Sequence, residues 1–214
     1  MAKTLTQLRL LAQQRADLEN SSHISDSEWT SLINFAIEEL YDIIVNTNED
    51  YFLDTYTFTT SGVASYDLPN DFYKLISVNA KIFNNDYKGI SKYTHSQRNR
   101  SSISTNNFRY RLKADQIEFV PTPQNNIDCL LEYIPNPVVL EDEGDEWSLE
   151  QFNEYIITHA AIAALNKEES DTKQLERRLV KLEANVKSFV YRDDSEPDAI
   201  SDIWNNSWDD GFFN

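Results

Sequence analysis

The sequence predicts an α+β protein: a helical bundle made of N- and C-terminal helical hairpins, with an inserted antiparallel β domain and an extended C-terminal arm. Three observations predict it. Apolar residues recur at helical spacing at both ends of the chain, each run behind a cap signal. The middle changes to a period of two and is rich in aromatic and β-branched residues. The last stretch mixes acid with tryptophan and phenylalanine. The expected divisions are 1–50 and 138–192 for the two halves of the bundle, 51–137 for the β domain and 193–214 for the arm.

Thr4 to Leu18 reads as the first helix. Thr4 and Gln7 have capping-box spacing, and Leu5, Leu8, Leu11 and Leu18 favour one face. Asn20 to His23 break it. Ser25 and Glu28 repeat the device, with Ile24 and Trp29 placed as a hydrophobic staple. Trp29, Leu32, Ile33, Ala36, Ile37, Leu40 and Ile44 then form a wide apolar stripe.

In the middle, Phe52 to Thr59 alternates as a strand, and Ser61-Gly62 is a turn. Tyr73 to Phe83 reads as a second strand, with Tyr87 to Tyr93 as its return. His95 to Asn107 is polar, a loop or a short helix. Arg109–Lys113 and Gln116–Val120 make a hairpin about Ala114-Asp115, stopped by Pro121 and Pro123. Cys129 to Ile134 is a further strand, ended by Pro135 and Pro137. Short connections make the pairing antiparallel.

The second helical hairpin spans Ser148 to Arg192. Ser148 and Gln151 have capping-box spacing, and Trp147 and Phe152 are placed to staple the entry. Phe152, Tyr155, Ile156, His159 and Ile162 form one stripe. Lys167 to Ser170 is a break, and Asp171 with Gln174 can open the last helix. Leu175, Leu179, Leu182, Val186 and Phe189 form its seam over about five turns. One apolar stripe per helix cannot bury itself alone, so the four stripes are expected to pack together.

Composition narrows the function. The formal net charge is −17, which repels phosphate backbones and anionic membranes. One cysteine, Cys129, permits no internal disulfide and fits a reducing cytoplasm. No apolar run approaches the roughly 20 residues of a membrane span, and there is no signal-peptide pattern. His23, His95 and His159 lack metal-ligand spacing, and no cofactor motif is present. Cys129 alternates with Leu131 and Tyr133 and reads as a buried thiol. Glu141, Asp142, Glu143, Asp145 and Glu146 cluster about Gly144. Such carboxylates can serve calcium or glycoside hydrolysis, but the spacing fits no calcium loop. A solvated run ahead of a helix N-terminus is the better reading. Arg98, Arg100, Arg109 and Arg111, with Phe108 and Tyr110, are the one basic and aromatic cluster. They read as strand arginines paired across subunits rather than as a phosphate site.

Asp193 to Asn214 carries seven acidic residues and no base, together with Ile200, Ile203, Trp204, Trp208, Phe212 and Phe213. Disordered tails have few aromatics. This segment reads as a binding arm that orders on a partner, because aromatic anchors dominate interface energies; the alternative is that Trp204, Trp208, Phe212 and Phe213 fold back onto their own bundle.

Several motifs in order carry a resemblance. They are Leu8-Arg9, Arg15-Ala16-Asp17, Ile24-Ser25-Asp26-Ser27-Glu28, Ile33-Asn34 and Tyr51-Phe52-Leu53. The run Tyr66-Asp67-Leu68-Pro69-Asn70-Asp71-Phe72-Tyr73-Lys74-Leu75-Ile76-Ser77-Val78 follows. Then come Tyr110-Arg111-Leu112, Pro121-Thr122-Pro123, Tyr133-Ile134-Pro135, Glu154-Tyr155, Tyr191-Arg192-Asp193, Glu196-Pro197, Ile200 and Asp202. Together they resemble the head-to-tail adaptor (tail accessory, head-completion) proteins of short-tailed bacteriophages.

The resemblance implies a structural virion protein, not an enzyme, that needs no cofactor or metal. It implies a homo-oligomeric ring, commonly dodecameric, beneath the portal protein. Such a ring extends the channel through which double-stranded DNA passes without sequence-specific binding, and it offers a platform to tail nozzle or fibre proteins. The place is the head–tail interface of the virion, after assembly in the host cytoplasm and away from membranes. The C-terminal arm, with Ile200, Asp202, Ile203, Trp204, Trp208, Phe212 and Phe213, is the expected portal contact; from Trp204 onward this rests on composition. The competing readings are a tail-fibre, nozzle-attachment or adhesin module, and a peptidoglycan-degrading glycosidase using the 141–146 acids.

Overall fold

The structure is a computed structural model that describes residues 2–82, 86–94 and 108–191. It is mixed α and β, with every pairing between its strands antiparallel. The chain opens with β1 (Lys3–Thr4), α1 (Leu5–Ala16) and α2 (Asp26–Thr47). A 3-10 turn at Glu49–Phe52 leads into β2 (Asp54–Ser61), β3 (Ser65–Asp67), β4 (Phe72–Ala80) and β5 (Lys88–Gly89). Then come β6 (Arg109–Lys113), β7 (Gln116–Val120), β8 (Asn125–Pro135) and β9 (Glu146–Trp147). A second 3-10 turn, Glu150–Phe152, opens α3 (Asn153–Lys167), and α4 (Lys173–Val190) follows.

Both predicted N-terminal capping boxes form. Thr4 accepts from the Gln7 backbone and Ser25 from the Glu28 backbone, and each partner side chain reaches back. Ile24 and Trp29 are both buried. The C-terminal pair starts differently. Ser148 caps nothing: α3 begins out of the Glu150–Phe152 turn with no side-chain cap. Trp147 is held instead in β9, paired with Lys3 of β1. That pairing brings the chain beside α1 and displaces the capping box. Likewise α4 starts at Lys173 with no side-chain cap at Thr172, although the Asp171 carboxylate accepts from the Lys173 N–H at 3.1 Å.

All four helices contribute to one core. α3 touches α1, α2 and α4. It was expected to show one stripe, yet Tyr155, Ile156, Ile157, Thr158, Ala160, Ala161, Ile162 and Ala164 are all buried. A helix apolar around its circumference belongs in an interior, and its alanines let neighbours approach closely. On α4, Val186 and Val190 are buried, and Leu175, Leu179 and Leu182 are partly so. Phe189 departs from the expected seam. It is 63% exposed and touches the core only edge-on, against Phe152 at 5.7 Å.

A single ion-pair node ties three helices. The Glu154 carboxylate of α3 accepts from Arg15 of α1 at 3.1 Å and from Arg178 of α4 at 2.7 Å. Arg15 also donates to the buried Thr158 hydroxyl at 3.1 Å. Burial pulls the Glu154 acidity toward weaker, but the two arginines outweigh it and hold the carboxyl below its ordinary 4.5.

The strands build a second core. One sheet has the order β2-β8-β4-β5 and the other β3-β7-β6. Val78, Ala80, Cys129 and Leu131 of the first meet Ile117 and Phe119 of the second. The predicted hairpin is present, with Arg109 opposite Val120 and Lys113 opposite Gln116. Ala114 takes φ +49° in its turn. Gly62 turns at φ +73°, where a Cβ would lie 2.3 Å from the Asn125 Oδ1. The predicted return strand at Tyr87–Tyr93 shrinks to Lys88–Gly89, because the chain then crosses to the other sheet. There the Tyr93 N–H donates to the Tyr110 carbonyl at 2.6 Å. Phe52 lies in the 3-10 turn, so β2 begins two residues later than predicted. Cys129 is fully buried, and burial pushes its thiol up to about 12.

α2 joins the two cores. Its last turns carry Tyr41 and Val45, which pack with Ile134 of β8 against Phe52 and Ile76. The Tyr41 hydroxyl donates to the Pro135 carbonyl, and the Tyr73 hydroxyl donates to Asp42 at 2.8 Å.

Two outcomes follow from this packing. Ile134→Ala removes a fully buried side chain at the junction and should cost about 2–5 kcal/mol in chemical denaturation. Glu154→Gln should cost about 1 kcal/mol at pH 7, a modest figure because about half of the side chain is exposed. The folded pKa lies below the unfolded one. The penalty should therefore be full above about pH 5 and vanish as the pH falls through the folded value. Melting curves of both proteins from pH 3 to 7 check this.

Candidate assembly interface

The described chain ends at Tyr191, and its surroundings are apolar. The Asn48 side chain donates to the Val190 carbonyl at 3.2 Å, which fixes the end of α4 beside the Glu49–Phe52 turn. Asn48 also caps that turn, its side-chain oxygen accepting from the Asp50 N–H at 3.1 Å. Gln151 reaches from the start of α3 to the Tyr51 hydroxyl at 3.2 Å. The α4 exit, the 3-10 turn and the α3 entry are thus one local structure.

Two clefts flank it. The larger, about 310 Å³, lies where helices meet sheet and is lined by Tyr51, Phe52, Pro135, Val138, Trp147 and Leu149, among others. Tyr41 and Phe52 stack at 4.4 Å on its floor, and Val138 at its rim is 59% exposed. The smaller, about 150 Å³, lies between α3 and α4 and includes Phe152, Leu182, Val186 and Phe189. No residue lining either cleft carries a formal charge. Both linings are largely apolar.

The predicted arm residues, Ile200, Asp202, Ile203, Trp204, Trp208, Phe212 and Phe213, lie outside the described residues. So do His95, Arg98 and Arg100. The described residues stop just short of them, at Tyr191. Sequence reasoning missed the cleft there. A signal was available in Pro137-Val138-Val139, two valines between a proline and an acidic run, both more than half exposed.

The acidic run is placed differently from its prediction. It closes over the start of α1, not of α3. The Leu5 N–H donates to the Asp145 carbonyl at 2.9 Å, and the Thr6 hydroxyl to the Glu143 carbonyl at 3.0 Å. These carbonyls satisfy donors that a helix start leaves unpaired. The Asp145 carboxylate accepts from the Glu141 and Asp142 N–H groups at 2.8 and 2.9 Å, and these bonds lower its pKa. A proton-donating acid needs the opposite shift. Glu143 pairs with Arg9 at 3.3 Å.

Two other candidates also have local explanations. Arg111 forms a two-pronged pair with Glu118 of the same hairpin, at 3.0 and 2.9 Å. His159 lies between Phe35 and Tyr155, and its burial lowers its pKa. Among the described residues, no group of three or more His, Cys, Asp or Glu side chains is placed to hold a metal, and no helix is long and apolar enough to cross a membrane.

The geometry is therefore that of a body with two uncharged, largely apolar clefts near its last described residue, Tyr191. A comparison with curated proteins finds no match. A family model does match: it covers residues 4–196, both helical pairs and all the strands between them. The chain belongs to the SU10 adaptor protein family, a family of phage head–tail adaptors.

Proposed function

We propose that this protein forms the ring that joins the portal vertex of the phage head to the tail and extends the DNA channel. The observation that carries the reading is the family match from residue 4 to 196, which covers all of the described body but its first two residues. A structural adaptor must present one surface to head components and another to tail components, and copies of it must meet side by side. The body has material for each, since helices and strands have separate cores joined at one small junction.

In this reading the helices form a bundle whose two halves flank an inserted β domain at residues 51–137. The arm at 193–214 grips the portal through Ile200, Asp202, Ile203, Trp204, Trp208, Phe212 and Phe213. Each arm contributes little alone, and repetition around a ring, which we expect to be dodecameric, supplies strength through avidity. The −17 charge suits a conduit that must not hold its phosphate cargo. The β domain is assigned to nozzle or fibre protein. Its edge strand β2 is eight residues long and exposed over most of its length, without lysine or proline to blunt it. That edge also favours the second reading, in which the protein attaches fibres without needing the portal.

Deleting residues 193–214 tests the proposal. The truncated chain should stay folded and soluble and lose association with purified portal rings in sedimentation or electron microscopy. A truncated chain that still decorated portal rings as the full chain does would remove the arm from the mechanism.

A further inference from the structure

We propose that, before assembly, the cleft at the helix–sheet junction holds an indole of the chain's own arm, Trp204 or Trp208. The inference rests on the reading of residues 193–214 as the portal arm and adds a parked state to it.

The argument starts from where the described chain ends. The Asn48 bond to the Val190 carbonyl places the arm's origin beside the turn whose Tyr51 and Phe52 line the cleft. Trp204 lies thirteen residues beyond Tyr191. A fully extended chain gains at most about 3.5 Å per residue, so the arm can leave the body and double back to this site. At about 310 Å³ the cleft is at the lower limit of small-ligand sites. That size suits one aromatic side chain better than a packed helix.

The chemistry agrees. The lining carries no formal charge, and Val138 at its rim is 59% exposed. The arm carries six large apolar side chains among seven acids. An uncharged cleft accepts an indole while the neighbouring carboxylates stay in water. A tether this short gives an effective concentration on the order of millimolar, so the chain's own arm outcompetes that of another copy in dilute solution. Parking also hides apolar surface that would otherwise promote premature association. On portal, the arm exchanges one apolar cover for another.

The test uses the full chain labelled with 5-fluorotryptophan and read by fluorine NMR. Its four tryptophan signals are assigned with Trp204→Phe and Trp208→Phe. One arm signal should be shielded from solvent, with a small shift between H2O and D2O, and the shielding should not change on dilution. Val138→Lys, at an exposed rim position, should expose that indole. It should also tighten portal binding by about tenfold, if the arm is parked nine-tenths of the time. Truncation at residue 192 should move the Trp147 signal, which reports the cleft, and leave the Trp29 signal, which reports the helical core.

Two solvent-exposed arm indoles in the unaltered chain would overturn the proposal. So would shielding lost on dilution, which would assign the cleft to a second copy, or a Trp147 signal indifferent to truncation. Failure of the portal reading looks different: the truncated chain would bind portal normally, whatever the fluorine signals show.

Discussion

The helical core depends on the burial of α3, which has almost no solvent face. A helix in that position needs neighbours on all sides, and α1, α2 and α4 supply them. Ala160, Ala161 and Ala164 keep it thin enough for close approach. The demand explains why helices from opposite ends of the chain must come together. α3 follows about a hundred residues after α2, and its local neighbour α4 could not cover it alone. Glu154, held by Arg15 and Arg178, then adds direction to a contact that is otherwise non-directional.

The second constraint is the reach of α2. At 22 residues it extends beyond the helical core and ends against the sheet. Tyr41 serves twice there. Its ring stacks on Phe52 and its hydroxyl satisfies the Pro135 carbonyl at the end of β8. Two cores of different architecture are thereby held in register across a small contact. The apolar cleft is a by-product of that joint: a strand end, a 3-10 turn and the α3 entry meet there without filling the space between them.

Electrostatics divides the acids into two kinds. Glu118, Asp145 and Glu154 are engaged by arginines or backbone donors inside the fold. The others, some of them paired with lysines at the surface, give the chain its excess of 36 acids over 19 bases. Two of the five carboxylates of the 141–146 run, Asp145 and Glu143, belong to the first kind. Carbonyls of the run and these two carboxylates are committed to the start of α1, to its own turn and to Arg9. That is why a sequence cluster suggestive of acid chemistry serves as structural closure in the folded protein.

The sequence by itself determined the local features. Thr4 with Gln7 and Ser25 with Glu28 form the boxes their spacing predicts, because a cap involves only residues three apart. The Arg109–Val120 hairpin was equally legible, since its turn and register are set within a dozen residues. Ser148 failed as a cap because a distant strand, Lys3–Thr4, captures Trp147 before the helix can start there. The stripe on α3 was visible as a stripe; its closure into all-round burial required α1 and α2 from the far end of the chain as well as its neighbour α4. The cleft was not legible at all, because it is the space left between elements separated by up to about a hundred residues. Nearest-neighbour chemistry wrote the caps, turns and alternation into the sequence, whereas tertiary packing alone decided which surfaces remained uncovered.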